Sequence, residues 1–215
     1  MGKDKLRKFA EIDQLENVYQ LKEGLALKGN WNKEHFKNDN PLVVELACGK
    51  GEYTVNLAQL FPDKNFLGVD LKGNRIWRGA RTAFDEGITN VAFLRIQIED
   101  ILDYFAAGEI DEIWITFPDP QPQLSREKKR LTSKGFLNKY KIVLKEGGLL
   151  NLKTDNDQFY EFTKLMIEEL HLKKHIDTAD LYNSEFADEV LSIKTYYEKK
   201  YLLHSKNINY LKFSF

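Results

Sequence analysis

Four carboxylates stand where short apolar runs break into loops. Glu45 lies in Leu42-Val43-Val44-Glu45-Leu46, just before the loop Cys48-Gly49-Lys50-Gly51. Asp70 closes the run Asn65-Phe66-Leu67-Gly68-Val69-Asp70. Asp119 sits between two prolines after Ile110 to Phe117, and Asp155 follows Leu149 to Thr154. In open parallel sheets, ligands bind outside the carboxyl ends of the strands. If these runs are strands of one sheet, the four carboxylates meet on one rim. Like charges gathered there oppose one another's ionisation, and a ligand offering hydroxyls, amines or a positive centre offsets that cost. The two glycines allow close backbone approach to a ligand, and the start of the following helix adds N–H donors. Proline fixes its own φ and restrains the residue before it, so Asp119 is held in a narrow range. A rigid carboxylate of this kind suits the orientation of a reacting group. Pro-Asp-Pro is equally good turn chemistry, and spacing alone leaves both readings open.

The elements that must position these groups follow from periodicity. Strands are expected at 42–46, 65–70, 91–96, 110–117 and 149–154, because each is a short run rich in β-branched or aromatic residues bounded by turn formers. Between them, helical spacing predicts helices over 52–61, 73–86, 99–107 and 133–145, the last closed by Gly147-Gly148, with another from 157 to 170. The segment 191–215 reads as a helix followed by the aromatic-rich strand N-Y-L-K-F-S-F. Strands alternating with helices at this spacing mean an α/β fold with a mainly parallel sheet. Residues 1–30 read as a basic N-terminal arm carrying Lys3, Lys5, Arg7 and Lys8, and 31–215 as the domain proper.

Composition bounds the functional classes. The chain has 215 residues, 42% hydrophobic and 30% charged, with 13 Gly and 5 Pro, which excludes a disordered or collagen-like chain. Cys48 is the single cysteine, so no internal disulfide and no cysteine-rich metal cluster forms. A reducing, cytoplasmic setting is expected, with no membrane span and no metal. The 32 basic and 33 acidic side chains nearly cancel, to a net charge of −1. Charge is uneven all the same: between Arg126 and Lys145 there are eight basic side chains and one acid, Glu127. That run reads either as a solvated helix face or as a phosphate-binding surface.

The loop E-L-A-C-G-K-G lacks the third glycine of a dinucleotide fingerprint, since position 54 is Thr54, and it carries no G-K-[ST] phosphate loop. It is more similar to the E-x-x-x-G-x-G loop of S-adenosylmethionine (SAM)-dependent methyltransferases. Asp70, nineteen residues after Gly51, stands where an acid accepts the ribose hydroxyls of a nucleotide-type ligand. Phe117 to Leu131, F-P-D-P-Q-P-Q-L-S-R-E-K-K-R-L, then resembles the F-P-D-P-W-P-K-K-R-H-x-K-R-R-L segment of the bacterial tRNA (guanine-N(7))-methyltransferase family. That family also has an E-x-G-x-G-x-G loop, a T-D after the fifth strand and a T-x-Y-E near the C-terminus. Their counterparts are Glu45 to Gly51, Thr154-Asp155 and Thr195-Tyr196-Tyr197-Glu198. The resemblance runs from about Lys5 to the last strand.

The resemblance implies a Rossmann-like class I methyltransferase fold with a mostly parallel seven-stranded sheet. It implies methyl transfer from SAM to N(7) of a guanine in tRNA, in the variable loop, by a monomer or a homodimer. By position, Glu45, Gly49, Gly51, Asp70 and Gln97 would bind the cofactor and Asp119 would be catalytic. Gln123, Asp155, Thr195, Glu198, Arg126, Lys128, Lys129 and Arg130 would lie on the substrate side. The chain departs from the family in having Gln121 for Trp and Gln123 for a substrate-binding Lys, with Leu124 and Ser125 at the next basic positions. Two other readings are another SAM-dependent methyltransferase acting on a different RNA or a small molecule, and a non-catalytic RNA-binding module. Thr195 and Glu198 also make a capping box, which by itself accounts for the pair.

Overall fold

The computed structural model describes residues 3–204 and 206–215. The inner strands of its sheet are buried on both faces, as expected where helices cover each side. The strands are β1 (Val18–Gln20), β2 (Leu42–Leu46), β3 (Asn65–Asp70), β4 (Val91–Arg95), β5 (Ile110–Thr116), β6 (Leu144–Thr154), β7 (Lys173–Thr178) and β8 (Asn209–Ser214). Their spatial order is β1-β4-β3-β2-β5-β6-β8-β7. All pair in parallel except β8, which runs antiparallel to both β6 and β7.

After the short edge strand β1, the chain lays down β2 in the middle of the sheet, winds outward through β3 and β4, then returns to lay β5 on the other side of β2. The strand order therefore reverses between β2 and β5, where Leu46 pairs with Ile115. In sheets of this kind the loops leaving two such strands diverge, and ligands bind between them.

Side chains alternate across the sheet and divide the core in two. On one face Leu42, Val44, Leu46, Ile113, Ile115, Leu150 and Leu152 pack against α5 (Ile101–Tyr104), α6 (Lys134–Val143) and α7 (Asp157–Glu169). On the other, Val43, Phe66, Phe93, Trp114 and Tyr210 pack against α1 (Lys3–Ile12), α3 (Glu52–Leu60) and α4 (Gly73–Asp85). Two further elements, α2 (Lys22–Ala26) and α8 (Tyr196–Leu203), complete the α-helices among the described residues.

Three expectations are corrected. The sheet has eight strands, not seven; periodicity left two of them unmarked, β7 and β1, whose three residues pair with the outer edge of β4. A three-residue strand is too short for its alternation to register in sequence. The first thirty residues, expected as an appended arm, are packed from α1 onward: Ile12 at the end of α1, Leu15 in the loop after it and Val18 in β1 are buried, and the Trp77 indole donates to Glu11 at 2.6 Å. Arg7 and Lys8 are occupied by Asp4 and Glu11. Finally, Gly147-Gly148 does not close the helix. Helix α6 ends at Val143, Leu144 already pairs with Ile110, and the ladder shifts register before Leu149. Gly147 adopts φ 73°, the left-handed conformation that this irregularity requires.

Candidate active site

Glu45, at the end of β2, is 2% exposed. Its carboxylate accepts from the Thr54 backbone N–H at 2.9 Å and from the hydroxyls of Thr54 and Thr116. It thereby ties β2, β5 and the first turn of α3 together. Burial is the largest influence on its pKa and pushes it up to about 7, against the pull of these three donors. Glu45 is thus enclosed by the loop it organises, and its oxygens bond to protein donors.

The loop itself turns through left-handed conformations at Ala47 (φ 58°), Gly49 (φ 58°) and Gly51 (φ 68°). At Gly51 the need is double, because a Cβ there would also collide with the Phe93 ring. Gly79 of α4 repeats the constraint: a Cβ would lie 2.7 Å from the Lys50 carbonyl oxygen. The two helices approach this closely because both contact points lack side chains. Gly49 differs, since a Cβ there would meet nothing closer than the Ala47 carbonyl at 4.0 Å. Its outer side faces open space. Cys48 is buried beneath the loop, and burial raises its thiol pKa well above the usual value, which suits packing and not nucleophilic chemistry.

Asp70, at the end of β3, reaches across to this loop. One carboxylate oxygen accepts from Gly49 N–H at 2.9 Å and the other from Lys72 N–H at 2.7 Å. Gln97 lies exposed just beyond the end of β4, the next strand outward. Gly49, Asp70 and Gln97 thus line neighbouring strand ends in spatial order. A glycine with free space outside it, a carboxylate that follows the second strand of the unit and a polar side chain beyond the third strand make a donor set that fits SAM.

Across the switch point, β5 ends at Thr116 and the chain turns sharply. Phe117 has φ 48° and is held by its N–H to the Lys153 carbonyl at 2.9 Å. Asp119 is exposed and accepts from Gln121 N–H at 3.1 Å. Gln121, at φ 45°, is fixed by its own carbonyl, which accepts from Arg130 Nε at 3.2 Å. The backbone of Gln121 makes these bonds, so the change from Trp leaves them intact.

The basic run divides in two. Gln123, Arg126, Lys128 and Lys129 are exposed, the last three on a 3₁₀ turn over Leu124–Lys129. Arg130 is 3% exposed, and its guanidinium lies 4.4 Å over the Phe162 ring. It is held within the fold, with its Nε bonded to the loop that carries Asp119.

Asp155 follows β6 and pairs with Lys206 at 3.1 Å. Thr195 and Glu198 form the capping box of α8. Glu198 is fully buried, pairing with Lys153 at 3.0 Å. The start of α8 lies on the glycine loop: Tyr196 N–H donates to Glu52 at 2.9 Å, and Lys50 Nζ sits 4.0 Å over the Tyr196 ring. The Tyr201 ring lies 6.0 Å from Phe117. Helix α8 therefore packs against both loops, leaving Tyr196 and Tyr197 exposed.

Sequence reasoning missed Lys153, Thr54, Thr116 and Lys50. Lys153 alone carried a signal, a lysine at an inward position of an apolar strand, two residues after Asn151.

Among the described residues no cluster of acids, histidines and cysteine is arranged to hold a metal, and no helix is long and apolar enough to cross a membrane. Residues 39–211 match a family described as "Putative methyltransferase". The chain is 48% identical over 219 residues to a tRNA (guanine-N(7)-)-methyltransferase of Bacteroides thetaiotaomicron, covering 99% of this chain and 86% of that one. To the protein of that name from Christiangramia forsetii it is 49% identical over 223 residues, covering 99% and 98%. Similar solved structures include a SAM-dependent methyltransferase from Aquifex aeolicus, with TM-score 0.56 at 14% identity over 95% of this chain and 96% of that one. The 16S rRNA methyltransferase KamB has TM-score 0.62 at 15% identity over 85% and 91%. At such identities the structural likeness speaks for the fold alone, whereas the sequence identities place the chain: it belongs to the tRNA (guanine-N(7)-)-methyltransferase family.

Proposed function

We propose that this protein transfers the methyl group of SAM to N(7) of a guanine in tRNA. The observation that carries the reading is the pairing of β2 with β5 at the switch point, which sets the Asp119 loop beside the glycine loop. Gly49 and Asp70 hold the cofactor at one wall, with Gln97 beyond them, and Asp119 meets the base at the other. SAM, when bound, supplies an electrophilic methyl group.

Guanine N(7) carries an exposed lone pair and needs no proton removed, so the protein does not have to provide a strong base. It has to hold the base in line. Asp119 is fixed through Gln121 and Arg130 and is an acceptor that guanine N–H groups match. Positive charge grows on the purine as the methyl arrives, and a fixed carboxylate beside it stabilises that charge. Exposed Arg126, Lys128 and Lys129 meet phosphates, a contact that orients RNA without reading its sequence.

The test is a pair of transcripts of one tRNA, made with guanosine or with 7-deazaguanosine, which has carbon in place of N(7). Methyl incorporation from labelled SAM into the first and none into the second supports the reading. Equal incorporation into both overturns it.

A further inference from the structure

Lys153 is a fully buried lysine next to the carboxyl end of β6. Its ammonium donates to the carbonyls of Leu191 at 2.8 Å and Ile193 at 3.2 Å, and pairs with Glu198 at 3.0 Å. The rings of Tyr53, Phe117 and Tyr182 surround it at 5.2 to 5.9 Å. Its peptide carbonyl accepts from Phe117 N–H at 2.9 Å, at the root of the Asp119 loop. One residue thus grips the catalytic loop with its backbone and the approach to α8 with its side chain.

Glu198 has no oxygen to spare. One accepts from the Tyr182 hydroxyl and pairs with Lys153, and the other receives the capping-box N–H of Thr195 and a second contact from Lys153. A carboxylate buried in this way cannot touch RNA. Buried ion pairs are weak sources of stability, because desolvation offsets most of the attraction, and an apolar pair of similar volume often does as well. What such a pair fixes is geometry: here, the seat of α8 on the Asp119 loop and on the glycine loop.

We infer that Lys153 is a positioning residue that latches α8 to the Asp119 loop, and that Glu198 acts on methyl transfer through Lys153 and not by contact with substrate. The inference rests on the proposed function and deepens it. In this arrangement the exposed basic turn still binds RNA when the latch is cut. The base, however, is no longer held in line, so the loss falls on kcat.

The experiment is a double-mutant cycle in the full chain with Lys153→Met, Glu198→Gln and the double variant, measured as kcat and KM for tRNA, per folded molecule. The latch predicts a kcat loss of about tenfold or more in each single variant, with little change in KM. The double variant is predicted to be no worse than the poorer single one, because both cut the same link. Losses that multiply would mean that Glu198 and Lys153 act separately, and would overturn the inference. So would a Lys153→Met protein with wild-type kcat.

Tyr182→Phe deletes one hydroxyl contact to Glu198 and keeps the test open if the charged-pair variants fail to fold. It is expected to lower kcat about threefold alone and to have no effect on top of Glu198→Gln. A full effect in that background contradicts the latch. Amide hydrogen exchange separates this from failure of the functional reading. Faster exchange over residues 191–198 in Tyr182→Phe is expected whether or not the wild-type protein methylates tRNA, and unchanged exchange there overturns the latch.

Discussion

The Gly49 N–H donates to the Asp70 carboxylate at 2.9 Å, joining the loop after β2 to the end of β3. The bond holds the backbone turn and the acid in one register. Loss of the Asp70 side chain would remove the acid and release the turn of the glycine loop together. Asp70→Ala should therefore weaken SAM binding by roughly tenfold or more, about 1.4 kcal/mol. Affinity for tRNA without SAM should stay unchanged. Titration calorimetry with SAM, set beside a filter-binding assay with tRNA, checks both halves.

The two kinds of glycine in this chain should respond differently to alanine. At Gly51 the left-handed backbone and the Phe93 ring both object to a Cβ. Strain and overpacking together are expected to destabilise Gly51→Ala by roughly 2–4 kcal/mol. Gly87 has a similar φ of 65° but nothing within 4 Å of its would-be Cβ. Gly87→Ala should lose only about 1 kcal/mol, from backbone strain alone. Urea denaturation of the two variants beside the parent measures the difference.

Glu45 gives stability a particular dependence on pH. Its folded pKa of about 7 lies above the ordinary carboxylate value of 4.5. The unfolded chain therefore ionises first as pH rises. The contribution of this group is fully present below pH 4.5, and is lost progressively until about pH 7. By linkage the loss is on the order of 3 kcal/mol. Glu45→Gln removes the titration. The stability of the parent relative to Glu45→Gln should fall by about that amount between pH 4.5 and pH 8, as read from denaturation midpoints in the two buffers.

The basic run after Asp119 contains two populations that mutation should separate. Lys129 is exposed, so Lys129→Ala should leave folding alone and weaken tRNA binding. The slope of log affinity against log salt should become shallower by about 0.7–0.9, the signature of one lost phosphate contact. Arg130 is buried on Phe162 and bonded to Gln121. Arg130→Ala should instead lower stability, by roughly 1–3 kcal/mol, leaving the salt slope of the folded protein as it was.

The sheet was readable because its inner strands carry short, mainly apolar runs bounded by glycine, proline or aspartate. Glu45, Asp70, Asp119 and Asp155 all fell at strand ends for that reason. What escaped was the periphery. Strand β1 has three residues, and β7 reads Lys-Lys-His-Ile-Asp-Thr, a polar edge with little alternation to detect. Burial was equally hidden. Nothing in the run Arg126 to Arg130 marks its last member as the one that turns inward, and Glu198 looks like a surface acid until Lys153 is found beneath it. Such pairings join residues 45 positions apart, beyond the reach of local pattern.

The central claim is the reaction itself. Purified protein incubated with labelled SAM and unmodified bulk tRNA, followed by nucleoside analysis, tests it directly. The account predicts label in 7-methylguanosine, and a loss of roughly 100-fold or more in rate with Asp119→Ala while SAM affinity is kept. Label in a different nucleoside, or none at all from a protein that binds SAM, would contradict it.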